Sequence, residues 1–147
     1  MKKLFYLGLF ILAFSSCEKE TQSEIDEQKI KSYLTENEID ATAHDSGIYF
    51  IITKEGTGGS PNISSSVEVN YKGYLTDGSV FDETSGNSAI FPLQNLILGW
   101  QIGIPLLEKG GEGTFFIPSE LGYGTQAIGS IPANSVLIFE IELLDFQ

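Results

Sequence analysis

The sequence contains no arginine, one cysteine (Cys17) and one histidine (His44) in 147 residues. All eight basic residues are lysines, set against twenty acidic ones, for a net charge of -12. Nucleic-acid binding requires clustered cations that displace condensed counterions, so this composition excludes nucleic acid as a partner. A single cysteine rules out an intrachain disulfide, and with one histidine it leaves no Cys/His zinc set. A Ser-His-Asp triad would depend on His44, which sits in a polar connecting stretch without the orienting partners such a base requires. The expected chemistry therefore uses no metal, no cofactor and no side-chain nucleophile.

The length suits one domain with a core of its own. Sixteen glycines and five prolines point to a turn-rich β fold and away from a helical bundle. The excess of acid is expected to keep the domain soluble.

The longest apolar run, Leu4 to Phe14, follows Lys2 and Lys3 and covers about eleven residues, too few for a bilayer that needs ~20. It ends in Ser15-Ser16-Cys17, an arrangement that resembles a bacterial lipoprotein signal. That resemblance implies cleavage after residues 1–16 and a lipid on Cys17, which would hold the chain to a membrane. Removing Lys2 and Lys3 would leave 6 − 20 = −14. Glu18 gives no obvious inner-membrane retention signal, so the expected place is the cell envelope, at the periplasmic side of the outer membrane.

Residues 17–46 read as a tether and a short amphipathic helix. Glu18 to Glu24 is polar without apolar periodicity. Ser23 and Asp26 have the spacing of a capping box, and Ile25, Ile30, Tyr33 and Leu34 follow at helical spacing to about Asn37–Ile39. The stripe could pack on the domain, pair with a second copy or act as a spacer; packing is the default expectation.

Residues 47–147 read as a β-rich domain. Ile48 to Thr53 and Val67 to Tyr74 alternate as strands, and Thr76-Asp77-Gly78-Ser79 supplies a hairpin turn before Val80 to Glu83. Gly113 to Ile117 and Ser135 to Phe146 form two further strands, with Leu137, Phe139, Ile141 and Leu143 on one face. Gly99 to Leu107 is the only helix expected within this domain, and Pro105 keeps it short. The fold class is α+β: a twisted antiparallel sheet wrapping one short helix, preceded by a short N-terminal helix.

Four ordered segments resemble the FKBP-type peptidyl-prolyl cis/trans isomerases. The first runs Val69-Asn70-Tyr71-Lys72-Gly73-Tyr74-Leu75, Asp77-Gly78, Phe81-Asp82; the second Phe91-Pro92-Leu93, Leu96-Ile97-Leu98-Gly99-Trp100, Gly103. The third is Ile117-Pro118 with Gly122-Tyr123-Gly124; the fourth is Ile131-Pro132-Ala133-Asn134 with Leu137 to Leu144. The resemblance implies a shallow prolyl pocket with Trp100 as floor, Tyr71, Phe81, Ile97, Leu96 and Phe139 as walls, and Ile131 at the mouth. Asp82 and Tyr123 would add polar contacts, and the Ile97 N–H would bind the substrate carbonyl. Two departures stand out. Phe91 has no clear family counterpart and reads as either a pocket wall or a core strand residue. Ile128, Gly129 and Ser130 occupy the loop where a further apolar mouth residue is usual.

The implied activity is isomerisation of X–Pro bonds in exported proteins, whose proline-containing segments would be the partners. A binding module without useful catalysis is the alternative from another class. A third is docking into an envelope complex through the N-terminal helix, because the anchored layout is also similar to that of gliding-motility-associated isomerases.

Overall fold

The computed structural model describes residues 19–147; the lipidation site expected at Cys17 and the signal-like run lie outside the described residues. The order is α1 (Gln22–Glu36), β1 (Thr42–Ala43), β2 (Tyr49–Lys54), β3 (Ser66–Leu75), β4 (Val80–Glu83), β5 (Ala89–Pro92), α2 (Leu98–Gly103), β6 (Glu112–Ile117) and β7 (Leu137–Phe146). Among the described residues these strands form one seven-stranded sheet in the order β1-β2-β6-β7-β3-β4, with β5 also on β3. Every pairing is antiparallel.

The centre of the sheet is the long β3–β7 ladder, running from Val67↔Phe146 to Leu75↔Leu137. The free edge of β3 is shared: β5 takes Ser66 to Val69, and β4 takes Lys72 to Tyr74. This division brings the two segments that follow β3 against its opposite ends. Period-two alternation then sends Val67, Val69, Phe115, Leu137, Phe139, Ile141 and Leu143 into one core with Trp100, Ile104 and Leu107. Helix α2 stops at Gly103, and the chain tightens into a 3₁₀ turn over Ile104–Leu106 because Pro105 lacks the N–H that an α-helix would need there.

The opposite face is covered as well. Phe116, Val136 and Ile138 pack against Ile30 and Leu34 of α1, with Tyr33, Tyr49, Ile51 and Tyr74 around them. The N-terminal helix is therefore part of the packed structure, and the sheet beneath it is buried on both faces.

Three local expectations are corrected. The helix is capped by Thr21, whose hydroxyl accepts from Glu24 N (3.3 Å) while Glu24 Oε2 accepts from Thr21 N (2.8 Å). The anticipated Ser23–Asp26 box does not form, and Gln22, expected ahead of the helix, is helical, as is Ser23, expected as its cap. The Thr–x–x–Glu pair prevails because both of its side chains reach backbone donors at once. Strand β1 is unexpected, and β5 goes beyond the sequence reading, which allowed only that Phe91 is a core strand residue. Each is short, and β1 takes the sheet edge back to Thr42.

Candidate functional site

Two glycines let the site close. A Cβ on Gly73 would stand 2.5 Å from Phe81 Cε2 and 2.7 Å from Phe139 Cε1, far inside contact distance. Glycine there lets the Phe81 ring lie across β3 and meet Phe139 edge-on, centroids 5.4 Å apart at 82°. A Cβ on Gly99 would stand 2.5 Å from Ile117 Cγ2, so glycine there lets α2 approach the sheet and seat the next residue, Trp100.

Trp100 is 5% exposed and nearly perpendicular to three rings: Tyr71 (5.1 Å, 83°), Phe139 (5.2 Å, 87°) and Phe91 (6.2 Å, 78°). Such edge-to-face contacts suit the ring quadrupoles and resist collapse of the space they enclose. The Trp100 Nε1–H is buried and has no acceptor among the described residues.

Above the indole lies a cavity of ≈ 390 Å³. Tyr71, Phe81, Leu96, Ile97, Trp100 and Phe139 line it, together with Ile131, Asp82 and Tyr123. All nine residues singled out in the sequence are thus brought together. Phe91, Ile128, Gly129 and Ser130 also line it. Phe91 is at once a β5 residue, opposite Val67, and a cavity wall. Ile128 and Ile131 exchange two backbone hydrogen bonds, 2.9 and 2.8 Å, around Gly129 at φ 54°. This tight turn buries Ile131 and leaves Ile128 43% exposed at the rim.

Polar groups at the cavity are few. The Tyr71 hydroxyl donates to Asp82 Oδ2 at 2.6 Å. Burial, then the Asp82 acceptor, pushes the Tyr71 hydroxyl well above the usual phenol range. Tyr123 is raised for similar causes, burial first and the Asp82 charge second. The Ile97 N–H makes no backbone hydrogen bond among the described residues, whereas its carbonyl caps α2 by accepting from Trp100 and Gln101. None of the ion pairs among the described residues lies here; they join Lys29–Asp26, Lys31–Glu27, Lys54–Glu112 and Lys109–Asp145. The arrangement can enclose a five-membered apolar ring, offer one backbone donor and present one carboxylate at the edge.

A larger depression of ≈ 450 Å³ is lined mainly by charged and polar side chains, including Lys72, Glu83, Glu112, Glu140 and Glu142. It lacks the ring enclosure and is the poorer candidate for an apolar ligand. No cluster of three His, Cys, Asp or Glu suited to a metal ion occurs among the described residues.

A family model described as FKBP-type peptidyl-prolyl cis-trans isomerase matches residues 58–144. The chain is 42% identical over 126 residues to the FKBP-type peptidyl-prolyl cis-trans isomerase FkpA of Aeromonas hydrophila, covering 83% of this chain and 47% of that protein. To the probable FkpA of Neisseria meningitidis it is 40% identical over 129 residues, with the same two shares of 83% and 47%. The chain thus spans about half the length of the curated relatives it matches. The crystal structure of FkpA from Escherichia coli aligns with a TM-score of 0.76 at 36% identity, covering 85% of this chain and 61% of that one. A peptidyl-prolyl cis-trans isomerase from Pseudomonas syringae aligns with a TM-score of 0.73 at 28% identity, covering 88% and 98%. On this match across more than half its length, and on its fold, the chain belongs to the FKBP-type peptidyl-prolyl cis-trans isomerases.

Proposed function

We propose that the chain isomerises X–Pro bonds in exported proteins and that the cavity over Trp100 is where it does so. The observation that carries this reading is the ring enclosure: four aromatic side chains held at steep angles around an apolar floor. An X–Pro bond must rotate over a barrier of ~18–20 kcal/mol, set by amide resonance. No covalent bond has to form or break. Twisting the amide removes resonance and lowers the charge on its carbonyl oxygen, so the twisted form loses less on leaving water than the planar one. A dry ring pocket therefore favours the rotating species over the ground state, which is the requirement for catalysis.

In this account the prolyl ring sits on Trp100 between Tyr71, Phe81, Leu96 and Phe139, and Ile131 closes the mouth. The Ile97 N–H binds the substrate carbonyl and fixes one end of the rotating unit. Asp82, held by Tyr71, and Tyr123 provide the polar edge against which the other end turns. The test is refolding of a protein whose slow phase is prolyl isomerisation, tens to hundreds of seconds uncatalysed. Catalytic amounts of the chain shorten that phase if the proposal holds and leave it unchanged if it fails.

We also place the protein in the cell envelope, lipid-anchored through Cys17, with the periplasmic side of the outer membrane preferred. The support is the lysine-led apolar run ending at the only cysteine. Acyl chains add ~0.8 kcal/mol of membrane affinity per buried CH₂, and no described helix is long and apolar enough to cross a membrane. Replacing Cys17→Ser would release the chain from the membrane fraction; retention of that variant would refute the anchor. An envelope partner docking on α1 would meet its outward polar face, because Ile30 and Leu34 already pack on the sheet.

A further inference from the structure

Asp26 lies in the second turn of α1, is fully buried and reaches across the structure to Ser119. Its Oδ2 accepts from Ser119 N (2.8 Å) and from Ser119 Oγ (2.5 Å). Its Oδ1 accepts from Gln22 Nε2 (2.8 Å) and faces Lys29 Nζ at 3.8 Å. Ser119 opens the 3₁₀ turn Ser119–Leu121, so the carboxylate satisfies a backbone N–H that the turn itself leaves free. The carbonyl of the same serine accepts from Gly122 N (3.0 Å) and Gly124 N (2.8 Å), the two residues that flank Tyr123. Gly124 O in turn accepts from Asn134 N (2.8 Å).

We infer that Asp26 is a positioning residue for the isomerase site, acting through Ser119 on the loop that carries Tyr123. Ser119 is a node with both sides in use: its N–H and hydroxyl are held by the helix carboxylate, and its carbonyl holds both neighbours of the cavity tyrosine. Tyr123 itself has glycines on either side, one at φ 59°, and is 37% exposed. Local backbone preference therefore does little to fix it, and its own backbone is held only through Gln126 N, which donates to the Tyr123 carbonyl at 3.2 Å. The hydrogen-bonded chain from α1 adds to that fixity. Docking the helix on the sheet does not explain the carboxylate, because Ile30 and Leu34 already provide the apolar contact. An unneeded buried carboxylate would be a net cost.

The inference rests on Tyr123 contributing to the site as proposed above, and the experiment separates the two. Asp26→Ala removes every side-chain acceptor from Ser119, whereas Asp26→Asn could keep its Oδ1 on both Ser119 donors while the Gln22 amide turns to accept from its Nδ2. In the full chain, Asp26→Ala is expected to lower kcat/KM for a proline peptide on the order of tenfold, because small misplacements of site groups are costly. It should also shift or broaden the backbone amide signals of Gly122, Tyr123 and Gly124. Ser119→Ala, which keeps the backbone bond and loses the hydroxyl one, should give a smaller loss in the same direction. Leu34→Ala, which loosens the same helix away from Ser119, should leave kcat/KM within about twofold. In a Tyr123→Ala background, Asp26→Ala should cost no further activity.

Wild-type kcat/KM and unmoved loop amides in a folded Asp26→Ala chain would overturn the inference. So would equal losses in Leu34→Ala, or losses from Asp26→Ala and Tyr123→Ala that simply multiply. If Tyr123→Ala alone leaves kcat/KM unchanged, the role of Tyr123 falls and this inference falls with it. If the wild-type chain shows no turnover, the functional reading fails on its own, and the loop amides alone decide whether Asp26 fixes the loop.

Discussion

Tyr71 and Asp82 meet at the cavity edge through a 2.6 Å hydrogen bond from phenol to carboxylate, although the β3–β4 ladder pairs Asp82 with Gly73. The contact is diagonal, two residues off register, and long side chains can span that offset. It restrains an otherwise exposed carboxylate at the edge of the ring cavity and leaves its second oxygen open.

Tyr71→Phe keeps the ring against Trp100 and removes only that donor. The expected result is a fall in kcat/KM on the order of tenfold, ~1.4 kcal/mol of transition-state stabilisation. The urea midpoint should change little, as one hydrogen bond to an exposed partner is worth about 1 kcal/mol or less. Equal loss of stability and activity would mean that the phenol is structural.

Gly73→Ala forces a methyl group against Phe81 and Phe139. Overpacking of this kind typically costs ~1–3 kcal/mol. The moving parts here are the cavity walls, so weaker binding of an apolar proline peptide should accompany the destabilisation. Unfolding curves and peptide titrations check both.

Ile30→Ala tests whether α1 belongs to the fold. Ile30 is fully buried against the β6–β7 face, and such truncations cost ~2–5 kcal/mol. A change below about 0.5 kcal/mol, the range of free surface sites, would show that the helix is loosely attached.

The long strands were legible because their alternation is unambiguous. Val67, Val69, Leu137, Phe139 and Leu143 all face the core as the pattern requires. The Asp77-Gly78 turn was legible too, with Gly78 at φ 85°. Strand β5 was not: Ala89 to Pro92 is four residues long and ends in proline, and its place is set by the free edge of β3. Helix α1 was visible, yet its first turn was misplaced, because Ser23–Asp26 and Thr21–Glu24 are both plausible capping pairs. Asp26 instead bonds Ser119, 93 residues distant, a contact that local spacing does not reveal. Of the site, the residues matching family motifs converge on one cavity. Ile128 and Ser130 were noticed only as a departure, since their place on the rim follows from a turn closed by Ile131.

The hydroxyls of Tyr71, Tyr74, Tyr123 and Tyr49 are all raised above their ordinary value of 10.0, chiefly by burial. A raised folded-state value means that the fold prefers the protonated phenol. That stability is complete below the unfolded value and is lost as pH rises through the folded ones. Glu24, Glu27, Asp77 and Asp145 are lowered, Glu24 by the Thr21 backbone, Glu27 by Lys31, Asp77 by Ser79 and Asp145 by Lys109. Their contribution is present above the unfolded carboxylate values and is lost as pH falls, and exposure makes it small and salt-sensitive. The urea midpoint should therefore be nearly flat from about pH 5 to 9, then fall steeply in alkali as the tyrosines ionise. A fall between pH 7 and 9 would contradict this.

The most direct test is exchange NMR on a short peptide with an apolar residue before proline, with the chain at catalytic amounts beside Trp100→Phe and Asp82→Ala. Faster cis/trans exchange with the wild type, reduced in both variants while they remain folded, is the result expected if the cavity over Trp100 is the isomerisation site. A folded wild-type chain that leaves the exchange rate unchanged, or variants as active as the wild type, would contradict it.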